Sequence, residues 1–206
     1  MVAIIDYGVG NLFSLRCSLE RIGAQVVVTG DPAVITQADR VILPGVGAFR
    51  DARQKLAESG LDKLVCALAE KGKPILGICL GMQMLFEKSY EFGVYEGLGL
   101  LKGSVKPLEG MIPVNYKIPQ IGWNALQMQK PSDLFRYIKN GDYVYFVHSY
   151  YAADCSDSLI ATCDYGMPVT AAVQKGNIYG CQFHPEKSGK VGLEILRAFC
   201  FEEDQV

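Results

Sequence analysis

Only two histidines, His148 and His184, and one tryptophan, Trp123, occur among the 206 residues. With so few imidazoles and no paired Cys or His ligands, the chain has too few donors at metal-ligand spacing for a structural zinc site, and no metal or other cofactor is expected. No CxxC pair is present, and the seven cysteines (17, 66, 79, 155, 163, 181, 200) are odd in number and scattered through apolar segments. That distribution points away from a secreted disulfide framework and toward free thiols packed as small hydrophobes. No uninterrupted apolar run approaches the length of a membrane span, and the opening MVAIIDYG has neither a basic leader nor a small-residue cleavage site. A soluble, cytoplasmic protein is expected. Charge of neither sign is in excess: 20 Lys and Arg face 22 Asp and Glu, with no basic stripe to track nucleic acid. Repeats, low-complexity tracts and flexible linkers are also lacking, so 1–206 reads as a single domain.

What is present is a large apolar fraction, 50% of the chain, arranged in two textures. Runs at 2–6, 25–29, 40–43 and 74–78 are rich in Val and Ile and apolar on successive positions rather than alternating, as in parallel strands buried on both faces. Helical patterns at 11–23, 50–70 and 80–88 lie between and after them. Beyond about residue 98 come short strand-like pieces at 101–106, 143–151, 158–163, 169–174 and 178–183, and then an amphipathic helix over 187–200. The expected fold is α/β, a largely parallel central sheet flanked by helices, with a more antiparallel second half.

The chemistry concentrates at Gly77-Ile78-Cys79-Leu80-Gly81, where a buried strand enters a helix. Glycines two before and two after the cysteine fit a sharp nucleophile elbow, which lifts Cys79 above the sheet at a helix N-terminus and aims the Leu80 N–H at a developing oxyanion. A buried cysteine at an ordinary turn is the plain alternative. A base is needed, and His184-Pro185-Glu186 offers one with an acid two residues on, which an extended segment would project to the same side. His148, in an apolar strand, has no adjacent acid and reads as a packed histidine. The Pro44–Phe49 loop, with Gly45 and Gly47, can bring a second backbone N–H to an oxyanion or form a plain turn. Gly8-Val9-Gly10 starts like a dinucleotide fingerprint, but Phe13 takes the place of the third glycine and Asp31 alone does not restore it.

A PGxG loop, a GxCxG elbow and a distal HPE, in that order, resemble the class I, or triad, glutamine amidotransferases. More narrowly, Asp6–Leu12, Pro44–Phe49, Gly122-Trp123-Asn124 and His184–Gly189 resemble the glutaminase subunits that serve a cyclase of histidine biosynthesis, and this likeness spans essentially the whole chain. The resemblance implies a triad of Cys79, His184 and Glu186, and an oxyanion hole from Leu80 with Val46 and Gly47. It implies a glutamine pocket of Gly47, Gln83, His148, Ser149 and Tyr150, so that His148 lines the pocket rather than acting as base. Asn11, Trp123, Tyr145 and Lys187 resemble positions facing the partner near an ammonia passage. That partner is a (βα)₈-barrel cyclase, joined as a heterodimer and forming imidazole glycerol phosphate. Two other readings stay open on sequence: a paralogue feeding a sugar-amidating synthase, and a stand-alone cysteine hydrolase.

Overall fold

The computed structural model describes residues 1–201. The main sheet has eight strands: β1 (Val2–Ile5), β2 (Val26–Thr29), β3 (Arg40–Leu43), β4 (Ile75–Ile78), β9 (Gln127–Met128), β12 (Leu159–Asp164), β13 (Pro168–Lys175) and β14 (Ile178–Cys181). Their order is β2-β1-β3-β4-β14-β13-β12-β9. The first five pair in parallel and the last three continue antiparallel. The expected parallel core with an antiparallel second half is therefore the observed fold.

The unbroken apolar runs are explained by helices on both faces. Side chains alternate along a strand. Val2 and Ile4 of β1, with Leu76 and Ile78 of β4, therefore pack on one face among Leu15, Leu19, Ile195 and Leu196. Ala3, Ile5 and Ile75 pack on the other among Ile35, Leu56, Val65 and Met82. The first face is covered by α1 (Leu12–Arg21) and α6 (Gly189–Cys200), the second by α2 (Pro32–Gln37), α3 (Phe49–Glu58), α4 (Leu61–Glu70) and α5 (Leu80–Met84). Among the described residues no helix is long and apolar enough to cross a membrane.

Two smaller sheets flank this core. One pairs β8 (Gln120–Ala125) with β10 (Tyr143–His148) antiparallel; the other joins β5 (Phe86–Ser89), β6 (Tyr95–Glu96), β7 (Leu101–Pro107) and β11 (Tyr150–Ala153). The expected helix over 80–88 is thus a single short turn of helix followed by a strand. Phe86 and Ser89 pair with Leu101 and Val105 of β7, and sheet pairing outweighs the helical pattern there. The expected helix over 50–70 is two helices parted at Gly60, and the run over 143–151 is two strands in different sheets parted at Ser149. The short α2, β5, β6 and β9, and β8 with its mixed polar and apolar residues, have no counterpart in the sequence reading. The single-domain reading of 1–206 includes residues 202–206, which lie outside the described residues.

One close approach governs the far side of the site. A Cβ at Gly192, in the first turn of α6, would fall inside the van der Waals shell of the Pro185 carbonyl oxygen. Gly192→Ala must push α6 off the turn that carries His184 and Glu186. It should lower the unfolding free energy by about 3 kcal/mol, at the upper end of ordinary overpacking costs. Urea unfolding beside wild type measures this.

Candidate active site

The turn between β4 and α5 holds Cys79 at φ 54°, ψ −111°, a backbone region that costs an L-residue about 1–3 kcal/mol. Two hydrogen bonds fix it: the Cys79 N–H donates to the Cys181 carbonyl at 2.7 Å, and the Gln83 N–H to the Cys79 carbonyl at 3.1 Å. Gly81 admits the turn, since a Cβ there would overlap the Leu43 carbonyl oxygen of β3. The elbow expected from the GxCxG pattern is present. Its helix, however, spans only Leu80–Met84, so the macrodipole adds little and hydrogen bonds to the sulfur matter more.

His184 stands three residues beyond the end of β14, at the entry to a 3₁₀ turn over Pro185–Lys187. The two-residue offset to Glu186 therefore works through a tight turn rather than through an extended strand. His184 Nδ1 lies 2.8 Å from Glu186 Oε1, and the neighbouring Cys79 side chain also favours a proton on the ring. The backbone is pinned by Ser188, whose hydroxyl donates to the His184 carbonyl at 2.7 Å and accepts from the Tyr145 N–H at 3.0 Å. The His184 N–H in turn donates to the Tyr145 carbonyl at 2.9 Å.

The two histidines are driven in opposite directions. Burial works against a charge on His184, but its bonds to Cys79 and Glu186 outweigh that and raise it to about 9. His148 is buried too, and burial, with the neighbouring His184, lowers it to about 4 despite the Tyr150 carbonyl at 2.9 Å from its Nδ1. That carbonyl only accepts, so Nδ1 carries the hydrogen and the buried Nε2 is left as an acceptor without a partner in the protein. His148 is neutral at physiological pH and a poor base.

A cavity of about 650 Å³ opens over Cys79, lined by Val46, Gly47, Leu80, Gln83, His148, Ser149, Tyr150 and Lys187. Every residue expected around the pocket and the oxyanion is on this wall. His184 and Glu186 stand behind the cysteine. Val46 and Gly47 are exposed, but their loop is held at both ends. The buried Tyr7 hydroxyl donates to the Pro44 carbonyl at 2.7 Å, and the Phe49 N–H donates to Glu91 Oε2 at 2.6 Å. Of the residues expected at the partner face, Trp123, Tyr145 and Lys187 form one cluster. The Trp123 and Tyr145 rings meet edge-on at 6.0 Å, and Lys187 Nζ sits 5.9 Å from the Tyr145 ring centre. Asn11 stands immediately before α1, with no capping bond from its side chain, and α1 packs against the Pro185–Lys187 turn. Among the described residues no group of three or more His, Cys, Asp or Glu is placed to hold a metal ion.

Several residues of this site have no place in the sequence reading, Glu91, Phe92 and Gln182 among them. Glu91 and Phe92 line the cavity from the segment after β5, where no motif marks them. Gln182 is fully buried, and its amide nitrogen lies 3.7 Å from Cys79 Sγ. A signal for Gln182 existed: it precedes His184 by two residues, the spacing that shares one side of an extended segment.

A cysteine on a strained elbow, with a buried His and Glu behind it and a parallel sheet beneath, defines a triad cysteine hydrolase. Residues 3–202 match the family model of glutamine amidotransferase class-I, and the chain belongs to that family. Its relatives are more particular. It is 50% identical over 200 residues to "Imidazole glycerol phosphate synthase subunit HisH" of Oceanobacillus iheyensis, covering 97% of this chain and 98% of that one. The protein of that name from Wolinella succinogenes is 46% identical over 202 residues, with 97% and 98% covered. Solved structures share the fold at lower identity. One described as glutamine amidotransferase has a TM-score of 0.75 at 17% identity, covering 97% of this chain and 99% of its own. PurLQS from Thermotoga maritima has 0.72 at 20%, with 96% of each covered.

The raised His184 predicts a pH signature. A group raised on folding contributes stability that is complete below its unfolded value, near 6.5, and is lost as pH rises through its folded value, about 9. The stability advantage of wild type over His184→Ala should therefore shrink from pH 6.5 to pH 9 and beyond, by on the order of 3 kcal/mol at most. Denaturant unfolding of both proteins at the two ends checks it.

Proposed function

We propose that this chain hydrolyses glutamine to glutamate and ammonia, and passes the ammonia to a (βα)₈-barrel cyclase that forms imidazole glycerol phosphate in histidine biosynthesis. The observation that carries the reading is the buried His184–Glu186 pair, 2.8 Å apart and beside Cys79, behind the floor of a cavity with ample room for an amino acid. The names of the relatives support the pathway. The two subunits act as a cytoplasmic heterodimer, and the ring-forming lyase step belongs to the cyclase.

In this mechanism the Cys79 thiolate attacks the side-chain amide carbon of glutamine, and the carbonyl oxygen takes up negative charge. The Leu80 N–H and the Val46–Gly47 segment receive that oxyanion. His184, protonated at rest, gives its proton to the departing nitrogen, so ammonia leaves neutral and nucleophilic while a thioester remains. Water then attacks the thioester, its proton passing to His184, and the C–S bond breaks to return the thiolate. Glu186 orients the ring throughout. Glu91, half-buried in the wall, takes the α-ammonium of glutamine, and Gln83 with the His148–Tyr150 segment holds the rest. Trp123, Tyr145 and Lys187, with Asn11, meet the cyclase where ammonia leaves.

Cys79→Ala should reduce ammonia release by roughly 10⁴-fold or more, while the cyclase still turns over with added ammonium salt. His184→Ala should fall nearly as far, and Glu186→Ala about one to two orders less. His148→Ala should raise KM more than it lowers kcat. A coupled glutamate assay ranks them, and a larger kcat loss at His148 than at His184 would reassign the base.

The exposed Val46–Gly47 segment lies between two fixed ends and is open to a docked partner. Glutamine hydrolysis by the chain alone should therefore be slow, with kcat rising at least about tenfold when the cyclase carries its nucleotide substrate. Equal kcat for the chain alone, with the cyclase, and with cyclase plus nucleotide would remove the coupling.

A further inference from the structure

Two buried glutamines form a hydrogen-bonded series that ends on the nucleophile. Gln83 Nε2 donates to the Tyr150 carbonyl at 2.9 Å and to Gln182 Oε1 at 3.0 Å. Gln182 Nε2 lies 3.7 Å from Cys79 Sγ, within hydrogen-bonding reach of a sulfur acceptor. Amide orientation follows from the network rather than from the atoms' appearance. The Tyr150 carbonyl can only accept, so Gln83 must turn its amino group toward it and toward Gln182. Gln182 must then meet Gln83 with its oxygen, and its own amino group is left facing the sulfur.

A fully buried donor held against sulfur favours the anion, which accepts more strongly than the thiol. We propose that Gln182 is a further catalytic residue of the glutaminase reaction assigned above: its side-chain N–H stabilises the Cys79 thiolate, and Gln83 with the Tyr150 carbonyl keeps that N–H aimed. The contact matters most when the thioester is hydrolysed. Water forms the new C–O bond, its proton goes to His184, and the C–S electron pair returns to Sγ. His184 begins that step neutral and answers the charge growing on sulfur only after it has taken the proton from water. Gln182 needs no such transfer, because its dipole is fixed and moves no proton.

The inference rests on the glutaminase reading for its mechanism, but its test uses no glutamine. Iodoacetamide alkylation of Cys79, located by mass spectrometry, is followed from about pH 5 to about pH 10 in the full chain, since the thiolate is the reacting form. Gln182→Met keeps the bulk and removes the donor. Its rate at neutral pH should fall about ten- to hundredfold, the worth of a hydrogen bond to a charged group. At the alkaline limit, where all the thiol is ionised, the rates should converge to within about twofold. Gln182→Glu, isosteric but anionic, should react more slowly than wild type at neutral pH. Gln83→Met leaves Gln182 in place but unaimed, and should shift the profile less than Gln182→Met does; it also serves if Gln182→Met does not fold. Profiles of Gln182→Met, or of Gln83→Met in its stead, that overlay wild type would overturn the proposal. A uniform drop at every pH, the mark of blocked access, would overturn it as well. Failure of the wild-type chain to release ammonia would instead count against the glutaminase reading, while a shifted profile would still support the Gln182 contact.

Discussion

The parallel pairing of Ile75–Ile78 with Ile178–Cys181, in register from Ile75 opposite Ile178 to Ile78 opposite Cys181, is the constraint on which the site depends. It makes the two strands end side by side, and the Cys79 N–H closes the pair by donating to the Cys181 carbonyl. Residues about a hundred positions apart then meet because each follows its strand end by a fixed number of steps. Cys79 is one step beyond β4, Gln182 one beyond β14 and His184 three beyond it. A slip of one residue in either strand would turn its side chains to the opposite face and part the cysteine from its neighbours. The apolar burial that holds the central strands is therefore also what sets the distances of the chemistry.

Burial does further work in the electrostatics. His148 and His184 are both nearly inaccessible, and burial penalises a charge on each. What separates them is the partner. His184 faces a carboxylate and a sulfur that favour its proton, whereas His148 faces a single carbonyl that one N–H already satisfies. One imidazole is set to hold a proton and the other to do without it, on adjoining elements that share the Phe146 and Phe183 ring packing.

The parts visible in the sequence were those with a long signal or a dense local one. The central strands showed through unbroken Val and Ile, and the elbow through glycines flanking one cysteine. The small sheets were not visible, because a strand such as Phe86–Ser89 is defined by its pairing with Leu101–Pro107 and not by its own pattern. Glu91 follows from that same misread segment. Gln182 and Ser188 sit beside the His-Pro-Glu motif, yet their roles depend on neighbours far off in sequence, Cys79 and Gln83 for one and Tyr145 for the other. Local spacing can mark the position of Gln182, but it does not carry those distant partners.

The Pro44–Phe49 loop resembles a short bridge slung between two posts. Tyr7 clamps the Pro44 carbonyl and Glu91 clamps the Phe49 N–H, so neither end can travel without breaking a bond made in or at the edge of the core. The span between them retains only rotation of its peptide planes about a nearly fixed chord. Such a rotation reverses the direction of an N–H while shifting its neighbours little, so the span changes polarity without changing place. A peptide plane turned over in that span would reverse its dipole in position, with no deformation of the sheet beneath it.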